Sequence, residues 1–423
     1  MEKLLITGGR PLEGTIPVSG AKNSALAILA GSLLSTDECV ITNVPNLLDV
    51  QVICEVLASL GVRLISTPDG VVRVDASTLR EHTTPYHLVT RMRASFFVLG
   101  PILARLGKAR IPLPGGCSIG SRPVDLHLKG LRTLGAQVTI GHGFVEAEAD
   151  HLVGGNVYLD YPSVGATETI MMAATLAEGR TVIENCAQEP EIIDLAEFLI
   201  KMGAQITGAG TETIVIDGVE KLTRCDHSVI PDRVEAGTFM MAAAITRSKL
   251  RLANVRLDHL QAVVSKLTEL GVILTQDGND VLVEAGQLKP SDVRTLPFPG
   301  FPTDLQAPMM TLLSTIDGTS VLTETVFENR FLHVDELIRM GANIKTEGNC
   351  AIIQGVPSLM GAPVKATDLR AGAALVIAGL AAQGETVISD IYHIDRGYER
   401  LEEKLTHVGA SIKRISVQES VLV

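Results

Sequence analysis

The stretch TLGAQVTI, residues 133–140, joins the end of a helical pattern, a glycine and an alternating run typical of a strand. Such a glycine is the usual left-handed residue just after a helix, so the stretch predicts a helix, a stop and a strand. The six copies have glycines 74, 68, 68, 70 and 68 residues apart, which indicates a regular repeat. The other copies are SLGVRLI (59–65), KMGAQITG (201–208), ELGVILT (269–275), RMGANIKT (339–346) and HVGASIKR (407–414).

A second helical segment precedes each copy and consists almost entirely of small apolar residues. A helix that is apolar on all sides belongs inside the protein, so these segments predict buried helices. A short strand follows each of them, as in ECVITNV or TVISDI. The repeat therefore predicts an α/β fold with its helices in the middle. The six apolar segments are NSALAILAGSLL (23–34), RASFFVLGPILARL (93–106), ATETIMMAATLAEG (166–179), EAGTFMMAAAIT (235–246), LQAPMMTLLST (305–315) and RAGAALVIAGLAA (370–382).

One repeat is predicted to be divided between the two ends of the chain. Residues 1–23 match residues 350–372, and the chain stops just after the strand-like SVLV, so the first strands are predicted to complete the last repeat. A chain of 423 residues is too long for one ordinary core. We therefore predict two domains of three repeats each, residues 1–20 with 230–423 and residues 21–229. The chain would cross between them twice, near residues 19–22 and 229–232, which predicts a hinge.

Composition excludes several classes of protein. The chain has 36 basic and 48 acidic residues and a net charge of −12, which argues against a nucleic-acid or anionic-membrane surface. Its most apolar segment, residues 371–382, is far shorter than the roughly 20 residues of a membrane helix, and the N-terminus lacks a signal-peptide pattern. The cysteines show neither CxxC pairs nor metal-ligand spacing, which fits a reducing cytoplasm and no metal. They are Cys39, Cys54, Cys117, Cys186, Cys225 and Cys350.

The segment PGGCSIGSRPVDLHLKG, residues 114–130, places a thiol and a guanidinium in a glycine-rich turn. Glycines let the backbone approach a ligand closely, and the guanidinium of Arg122 can form bidentate hydrogen bonds with a carboxylate or phosphate. A nearby guanidinium stabilises a thiolate, so the pKa of Cys117 is predicted to be lowered. The alternative is that Cys117 is a small buried apolar residue, and the sequence leaves both interpretations open.

Polar residues collect where the buried helices begin, and helix N-termini favour anions because they present free amides. Equivalent starts on one rim of each domain would face each other across a cleft. For each acidic residue a helix cap or capping salt bridge is the alternative. Arg396, in the turn before the last amphipathic helix, is either a counterpart of Arg122 or a solvated charge. The helix-start residues are Lys22, Asn23, Arg91, Arg93, Ser163, Gly165, Asp232, Arg233, Glu235, Asp304, Asp368 and Arg370.

Seven segments along the whole chain resemble the UDP-N-acetylglucosamine enolpyruvyl transferase family. The resemblance implies two inside-out α/β barrel domains, each of three repeats of about 70 residues with buried helices. It also implies closure over the substrates and the absence of a metal or organic cofactor. The segments are SGAKNSALAILA (19–30), PGGCSIGSRPVDLHL (114–128), YPSVGATET (161–169), IPDRVEAGTFM (230–240), GFPTDLQAPMM (300–310), TETVFENRF (323–331) and IYHIDRGYERLEEKL (391–405).

The resemblance implies a reaction and its residues. Phosphoenolpyruvate would donate its enolpyruvyl group to the 3′-hydroxyl of UDP-N-acetylglucosamine by addition and elimination, releasing phosphate, in the first committed step of peptidoglycan precursor synthesis. Lys22, Arg122 and Arg396 would hold phosphoenolpyruvate. Cys117 would protonate its methylene carbon and form an adduct, and Asp304 would act as base near the hydroxyl. The predicted substrate-binding set also contains Asn23, Arg93, Pro123, Val124, Asp125, Leu126, Ser163, Val164, Gly165, Val326 and Arg370.

Two positions depart from the family pattern. Tyr161 stands where many members have a lysine, which affects neutralisation of the diphosphate, and Phe97 stands where many have a tryptophan. Two alternatives are disfavoured, the first by the PGGCSIGSRP segment and the second by the presence of every residue expected for catalysis. One is a shikimate-pathway enolpyruvyl transferase, which shares the repeat but lacks the cysteine segment. The other is a paralogue that binds the UDP-sugar or a protein partner as a regulator without turnover. Oligomeric state is not predicted.

Overall fold

A computed structural model of the chain describes residues 2–114 and 124–416. The described chain divides into two compact units. The central unit contains residues 20–114 and 124–230, and the terminal unit contains residues 2–19 and 231–416. Each unit has its own hydrophobic core, as separate domains do.

Short strands account for most of the regular structure outside the helices. In chain order the strands are β1 Glu2–Thr7, β2 Glu13–Pro17, β3 Glu38–Thr42, β4 Arg63–Ser66, β5 Val72–Asp75, β6 Lys108–Pro112, β7 Gln137–Gly141, β8 Phe144–Glu148, β9 Asn156–Tyr158, β10 Arg180–Glu184, β11 Gln205–Thr207, β12 Thr213–Asp217, β13 Asp226–Ser228, β14 Lys249–Ala253, β15 Val272–Asp277, β16 Asp280–Ala285, β17 Val293–Arg294, β18 Thr319–Thr323, β19 Asn343–Glu347, β20 Cys350–Gln354, β21 Pro363–Lys365, β22 Glu385–Ser389 and β23 Ser411–Ser416.

Helices alternate with these strands, and five short 3₁₀ segments occur in the described residues, at Ser32–Leu34, Ala76–Thr78, Arg93–Val98, Leu257–Leu260 and Thr303–Leu305. The α-helices are α1 Lys22–Gly31, α2 Leu48–Ser59, α3 Tyr86–Val89, α4 Leu99–Leu106, α5 Asp125–Thr133, α6 Val164–Ala174, α7 Pro190–Lys201, α8 Arg233–Ile245, α9 Gln261–Glu269, α10 Gln306–Leu313, α11 Val334–Arg339, α12 Leu369–Ala381, α13 Tyr392–Asp395 and α14 Leu401–His407.

Each repeat contributes one small sheet with the same internal order. Three antiparallel strands of the repeat pair with one another, and in five sheets a parallel strand from another repeat joins the edge. The predicted unit had one strand after the glycine, whereas in five repeats the structure has a two-stranded hairpin there, and in the sixth the place of the second strand is taken by β1. The sheet orders are β13-β3-β5-β4, β6-β8-β7 and β9-β10-β12-β11 in the central unit, and β2-β14-β16-β15, β17-β18-β20-β19 and β21-β22-β1-β23 in the terminal unit.

The N-terminal strands close the terminal unit in two different ways. β1 lies between β22 and β23, with Leu4 opposite both Ile388 and Arg414, so it completes the last repeat as predicted. β2 was predicted to do the same, and this is wrong, because it pairs in parallel with β14 of the fourth repeat. The reason is the place of β2 within the repeat. β2 follows β1 as β21 follows β20, and each of these edge strands pairs in parallel with the first strand of another repeat's sheet.

The apolar helices lie inside the units, as their composition predicted. From Val234 to Ile245 every residue of α8 is buried, and α12 is buried from Arg370 to Leu380. Small residues permit close packing, since a Cβ on Gly237 would lie 2.4 Å from the Cδ1 of Leu305. The α/β fold with buried helices is therefore confirmed.

The glycine stops are confirmed as left-handed residues. Their φ angles are 92° at Gly61, 90° at Gly135, 109° at Gly203, 97° at Gly271, 92° at Gly341 and 97° at Gly409. An L-residue with a side chain is strained in this region, so glycine ends the helix at low energetic cost and turns the chain into the next strand.

Two buried helices differ from the uniform helix that the apolar pattern predicted. The second begins as the 3₁₀ segment Arg93–Val98 before α4, and the fifth begins as Thr303–Leu305 before α10. Both α-helices carry a proline at their third residue, Pro101 and Pro308. Proline lacks an amide hydrogen and is tolerated only in the first turn, so neither α-helix extends further toward its N-terminus.

Candidate active site

The predicted site residues fall into three groups. Cys117, Arg122 and Pro123 lie outside the described residues. Asp304, Val326, Arg370 and Arg396 belong to the terminal unit. The central unit carries Lys22, Asn23, Arg93, Val124, Asp125, Leu126, Ser163, Val164 and Gly165.

Lys22 is the first residue of α1 and is already ion-paired within its own unit. Its Nζ lies 2.6 Å from Oδ2 of Asp49, and the two side chains are 9% and 3% exposed. Asp49 is in the first turn of α2. A buried ion pair of this kind holds the ammonium group at one place, so Lys22 is prepositioned rather than freely mobile. Asn23 follows it and is half-buried. Asp49 was not predicted from the sequence, where its only signal is an acidic residue at a helix start.

Two predicted UDP-sugar segments come together in the central unit. A Cβ added at Gly165 would lie 3.1 Å from the Cε1 atoms of both Phe97 and His127. His127 belongs to α5, directly after the predicted segment Val124, Asp125 and Leu126. The start of α6 therefore lies against α5 and Phe97, and only glycine leaves that approach unobstructed.

The start of α6 is also capped. Ser163 Oγ accepts a hydrogen bond of 3.3 Å from the amide of Ala166, and Val164 and Gly165 follow it, half-buried. His127 is buried and shares a hydrogen bond of 2.9 Å between its Nδ1 and Thr169 Oγ1. This agrees with a packing role for His127 rather than a role as base. Tyr161, the departure from the family pattern, is 43% exposed.

The arginines before the second buried helix differ in environment. Arg93 is half-buried at the start of its 3₁₀ segment. Arg91 forms a pair with Glu55 at 2.7 Å in which both side chains are about half exposed, 49% and 48%. A pair so open to solvent contributes little to stability, so Arg91 has the character of a surface charge.

Asp304 in the terminal unit bridges two buried arginines. Its Oδ1 accepts from Arg330 Nη2 at 2.9 Å and its Oδ2 accepts from Arg370 Nη2 at 2.9 Å. The Asp304 side chain is 27% exposed, whereas those of Arg330 and Arg370 are 4% and 3% exposed. Burial acts to raise the pKa of Asp304, but Arg370 and then Arg330 outweigh it and hold that pKa well below its ordinary value. Asp304 is therefore a carboxylate at neutral pH.

This arrangement defines what Asp304 can do. A carboxylate with a lowered pKa accepts hydrogen bonds strongly but is a weak base until a ligand or a shift of the arginines changes its surroundings. Burial acts to lower the pKa of Arg370, yet Asp304 and then Tyr398 outweigh it and raise that pKa. Arg330 was not predicted as a site residue, and its only signal in the sequence is the ENR run of TETVFENRF.

The neighbouring helix starts use their aspartates differently. Asp232 Oδ1 accepts from the amides of Val234 and Glu235 at 2.8 and 3.0 Å. Asp368 Oδ1 accepts from the amides of Arg370 and Ala371 at 2.8 and 3.0 Å. Both are N-caps, so the capping alternative holds for them.

Val326 lies in the turn after β18, and its amide donates to Glu324 Oε1 at 2.7 Å. Arg396 is the half-buried residue after α13. The preceding Asp395 receives two hydrogen bonds, of 3.0 and 2.7 Å, from Arg414 of β23. These hydrogen bonds from β23 thus fix the position of the turn that contains Arg396.

The five cysteines of the described chain are free thiols. Burial raises the pKa of Cys54 to about 11 and that of Cys225 to about 12. Burial likewise raises the pKa of Cys186 to about 11 and, in direction, that of Cys39. These four are therefore weak nucleophiles at neutral pH.

The described residues contain neither a cluster suited to a metal ion nor a helix suited to a membrane. Within residues 2–114 and 124–416, no group of three or more His, Cys, Asp or Glu side chains is arranged to hold a metal ion. Over the same ranges, no helix has the length and apolar character to cross a membrane.

Comparison with known proteins identifies the family. A sequence model of the EPSP synthase (3-phosphoshikimate 1-carboxyvinyltransferase) family matches residues 6–405. The UDP-N-acetylglucosamine 1-carboxyvinyltransferase 1 of Caldanaerobacter subterraneus subsp. tengcongensis is 57% identical over 97% of this chain and 99% of its own length. The UDP-N-acetylglucosamine 1-carboxyvinyltransferase 2 of Carboxydothermus hydrogenoformans is 58% identical over 98% of this chain and 100% of its own.

Solved structures agree on the fold. The enolpyruvyl transferase NikO from Streptomyces tendae superposes with a TM-score of 0.90 at 26% identity over 99% of both chains. An EPSP synthase from Acinetobacter baumannii superposes with a TM-score of 0.76 at 20% identity, over 98% of this chain and 100% of its own. The chain therefore belongs to the EPSP synthase family of enolpyruvyl transferases and, within it, to the UDP-N-acetylglucosamine 1-carboxyvinyltransferases.

Proposed function

We propose that the chain transfers the enolpyruvyl group of phosphoenolpyruvate to the 3′-hydroxyl of UDP-N-acetylglucosamine and releases phosphate. The observation that carries this proposal is identity of 57% and 58%, over almost the whole chain, to two proteins of that name. The proposal makes the chain the first committed enzyme of peptidoglycan precursor synthesis, located in the cytoplasm. The two domains of the enzyme are residues 1–20 with 230–423 and residues 21–229, the latter carrying the Cys117 segment.

Phosphoenolpyruvate is held by Lys22, Arg122 and Arg396 in this proposal. The ligand carries a carboxylate and a phosphate, so several cations are needed to balance its charge. The prepositioned ammonium group of Lys22, fixed by Asp49 at 2.6 Å, supports a role as one of them. The tethering of Asp395 by Arg414 supports a defined position for Arg396.

The residues proposed to bind UDP-N-acetylglucosamine include two segments of the central unit that lie against each other. The close approach of Gly165 to His127 supports joint action of Ser163, Val164 and Gly165 with Val124, Asp125 and Leu126. Asn23, Arg93, Arg122, Pro123, Asp304, Val326 and Arg370 complete the proposed set.

The proposed chemistry has two steps. Cys117 donates a proton to the methylene carbon of phosphoenolpyruvate while the sugar hydroxyl adds to its C2 and gives up its own proton, which forms a tetrahedral ketal. The Cys117 thiolate then takes back a methyl proton as phosphate leaves from C2, which restores the double bond in the enolpyruvyl ether. Asp304 orients the attacking hydroxyl as a hydrogen-bond acceptor and receives its proton once substrate binding changes its pairing with the arginines. In a separate addition, the Cys117 thiolate bonds to C2 of phosphoenolpyruvate while the methylene carbon takes a proton from solvent, so the C=C π bond is replaced by a C–S and a C–H bond.

An assay of phosphate release tests the function. Phosphoenolpyruvate is supplied with UDP-N-acetylglucosamine, with shikimate 3-phosphate or with neither acceptor. We expect release only with the UDP-sugar. Release with shikimate 3-phosphate would assign the chain to the other branch of its family. Binding of UDP-N-acetylglucosamine without release would support a regulatory protein that lacks turnover.

Substitution of Cys117 tests its role as acid. Cys117→Asp keeps substantial activity because a carboxyl group can also donate a proton, whereas Cys117→Ser loses most of it because a hydroxyl is too weak an acid. Maleimide labelling in the presence of UDP-N-acetylglucosamine is the companion measurement. Cys117 is expected to react before Cys54 or Cys225, whose pKa values burial raises to about 11 and about 12. A fully active serine variant would return Cys117 to a packing role.

A further inference from the structure

Glu324 is a buried carboxylate that gathers hydrogen bonds from three separate pieces of the terminal unit. It is 3% exposed and lies just after β18. Its Oε1 accepts from Thr295 Oγ1 at 2.8 Å and from the amides of Val326 and Phe327 at 2.7 and 3.2 Å. Its Oε2 accepts from Thr303 Oγ1 at 2.8 Å. Four donors on two oxygens fix the orientation of this carboxylate, since hydrogen bonds to an ionised acceptor are the strong ones.

The hydrogen bond between Thr303 and Glu324 affects the candidate site because Thr303 is adjacent to Asp304 in the chain. Thr303 begins the 3₁₀ segment Thr303–Leu305, and Asp304 is the next residue. The Thr303–Glu324 bond therefore fixes the turn from which the Asp304 carboxylate meets Arg330 and Arg370.

Two further hydrogen bonds to Glu324 hold the turn that contains Val326. The amides of Val326 and Phe327 donate to the same carboxylate and hold the turn in which Val326 lies. Thr295 reinforces that turn, because its Oγ1 accepts from the amide of Thr325 at 2.9 Å and its carbonyl accepts from Thr325 Oγ1 at 2.6 Å. Glu324 is thus the shared acceptor between the Asp304 turn and the Val326 turn.

We propose that Glu324 is a positioning residue that sets the separation of Asp304 and Val326, and through it the affinity for the UDP-sugar. It acts through its neighbours and not on the reacting atoms. This inference rests on the proposed function, in which Asp304 and Val326 both contact UDP-N-acetylglucosamine. Side chains that bind one ligand must hold their spacing closely, because a displacement of about 1 Å is enough to weaken catalysis strongly.

Thr303→Val is the test variant, because it removes one hydroxyl, keeps the side-chain shape and leaves the Val326 turn bonded. The matched control is Thr319→Val on β18, whose hydroxyl donates to Gln354 at 2.6 Å at the other end of the same strand. Loss of one hydrogen bond to a charged group predicts a rise of about tenfold in the KM for UDP-N-acetylglucosamine. The KM for phosphoenolpyruvate stays at the wild-type value, and Thr319→Val changes neither.

Glu324→Gln supplies the conservative rescue. The amide oxygen can keep the three bonds of Oε1, and the amide nitrogen can donate to the Thr303 hydroxyl. Glu324→Gln is therefore expected to hold the KM for the UDP-sugar within about twofold of wild type, whereas Glu324→Ala raises it by tenfold or more. Thermal unfolding is recorded for every variant, because a merely structural role lowers Tm without separating the two KM values.

The outcomes distinguish this inference from the proposed function. Wild-type protein that releases no phosphate with UDP-N-acetylglucosamine overturns the function itself. Active wild type with an unchanged UDP-sugar KM in Thr303→Val, or with both KM values raised equally, overturns the positioning role alone. A selective rise in Thr303→Val, absent from Thr319→Val and small in Glu324→Gln, supports it.

Discussion

The fifth and sixth buried helices begin at equivalent places in the repeat, and each start carries an aspartate. Asp368 is in extended backbone, with φ of −158° and ψ of 177°, and caps α12 through two amide hydrogen bonds. Asp304 instead lies inside a 3₁₀ turn before α10 and pairs with Arg330 and Arg370. An N-cap needs extended backbone directly before the helix, so a residue already within a helical turn does not cap. The comparison shows that a repeat predicts the place of a side chain but not its partner.

The largest expected effect comes from making the same substitution at both starts. Asp304→Asn removes the negative charge between two arginines, and we expect kcat/KM to fall by about a hundredfold, about 2.7 kcal/mol of transition-state stabilisation. Asp368→Asn should keep nearly full activity, since asparagine caps a helix as well as aspartate. Steady-state phosphate release measures both. Equal losses in the two variants would erase the distinction between a site residue and a cap.

The stability of Asp304→Asn as a function of pH is the next test. Loss of a partly buried ion-pair partner should lower the free energy of unfolding by about 2 kcal/mol after allowance for its 27% exposure. Because the pKa of Asp304 is lowered on folding, its contribution is complete above its ordinary pKa of 3.8 and declines only as the pH falls toward the lowered value. Urea unfolding should therefore show a constant wild-type advantage from about pH 5 to about pH 8. An advantage that shrinks across that range would contradict the lowered pKa.

A smaller effect is expected when the partner of Asp304 is changed conservatively. Arg330→Lys keeps the positive charge but loses the planar fork that meets the carboxylate, so kcat/KM should fall about tenfold, about 1.4 kcal/mol. The control is Arg256→Lys, whose pair with Asp258 at 2.7 Å has side chains 50% and 54% exposed. Exposed pairs contribute little, and we expect this control to behave as wild type. Full activity of Arg330→Lys would show that charge alone holds Asp304.

The smallest expected effect concerns the cap itself. Asp368→Ala removes the acceptor of two amide hydrogen bonds and should lower the free energy of unfolding by about 1 kcal/mol, whereas Asp368→Asn should change it by a few tenths. Urea denaturation of both variants measures the difference. An alanine variant as stable as wild type would mean that Asp368 is not the capping residue that its geometry indicates.

Local chemistry explains why much of the fold was predictable. Gly61 and its five equivalents recur at intervals of about 70 residues, and each has the left-handed conformation that only glycine adopts readily. The buried helices were equally predictable, because a helix without a polar face has to be buried. The pairing of β2 with β14 was not predictable. The sequence match between residues 1–23 and 350–372 shows which strands are equivalent, but it does not show to which sheet an edge strand adds.

The sequence by itself determined the repeat, the α/β class, the buried helices and the family, because each depends on residue type and spacing along the chain. Tertiary structure alone decided the partners: Asp49 for Lys22, Arg330 and Arg370 for Asp304, and Glu324 for the turns that carry Asp304 and Val326. Glu324 and Thr303 are 21 residues apart, and Asp304 and Arg370 are 66 apart. Contacts over such separations depend on how whole repeats pack, and no local pattern of residues encodes them.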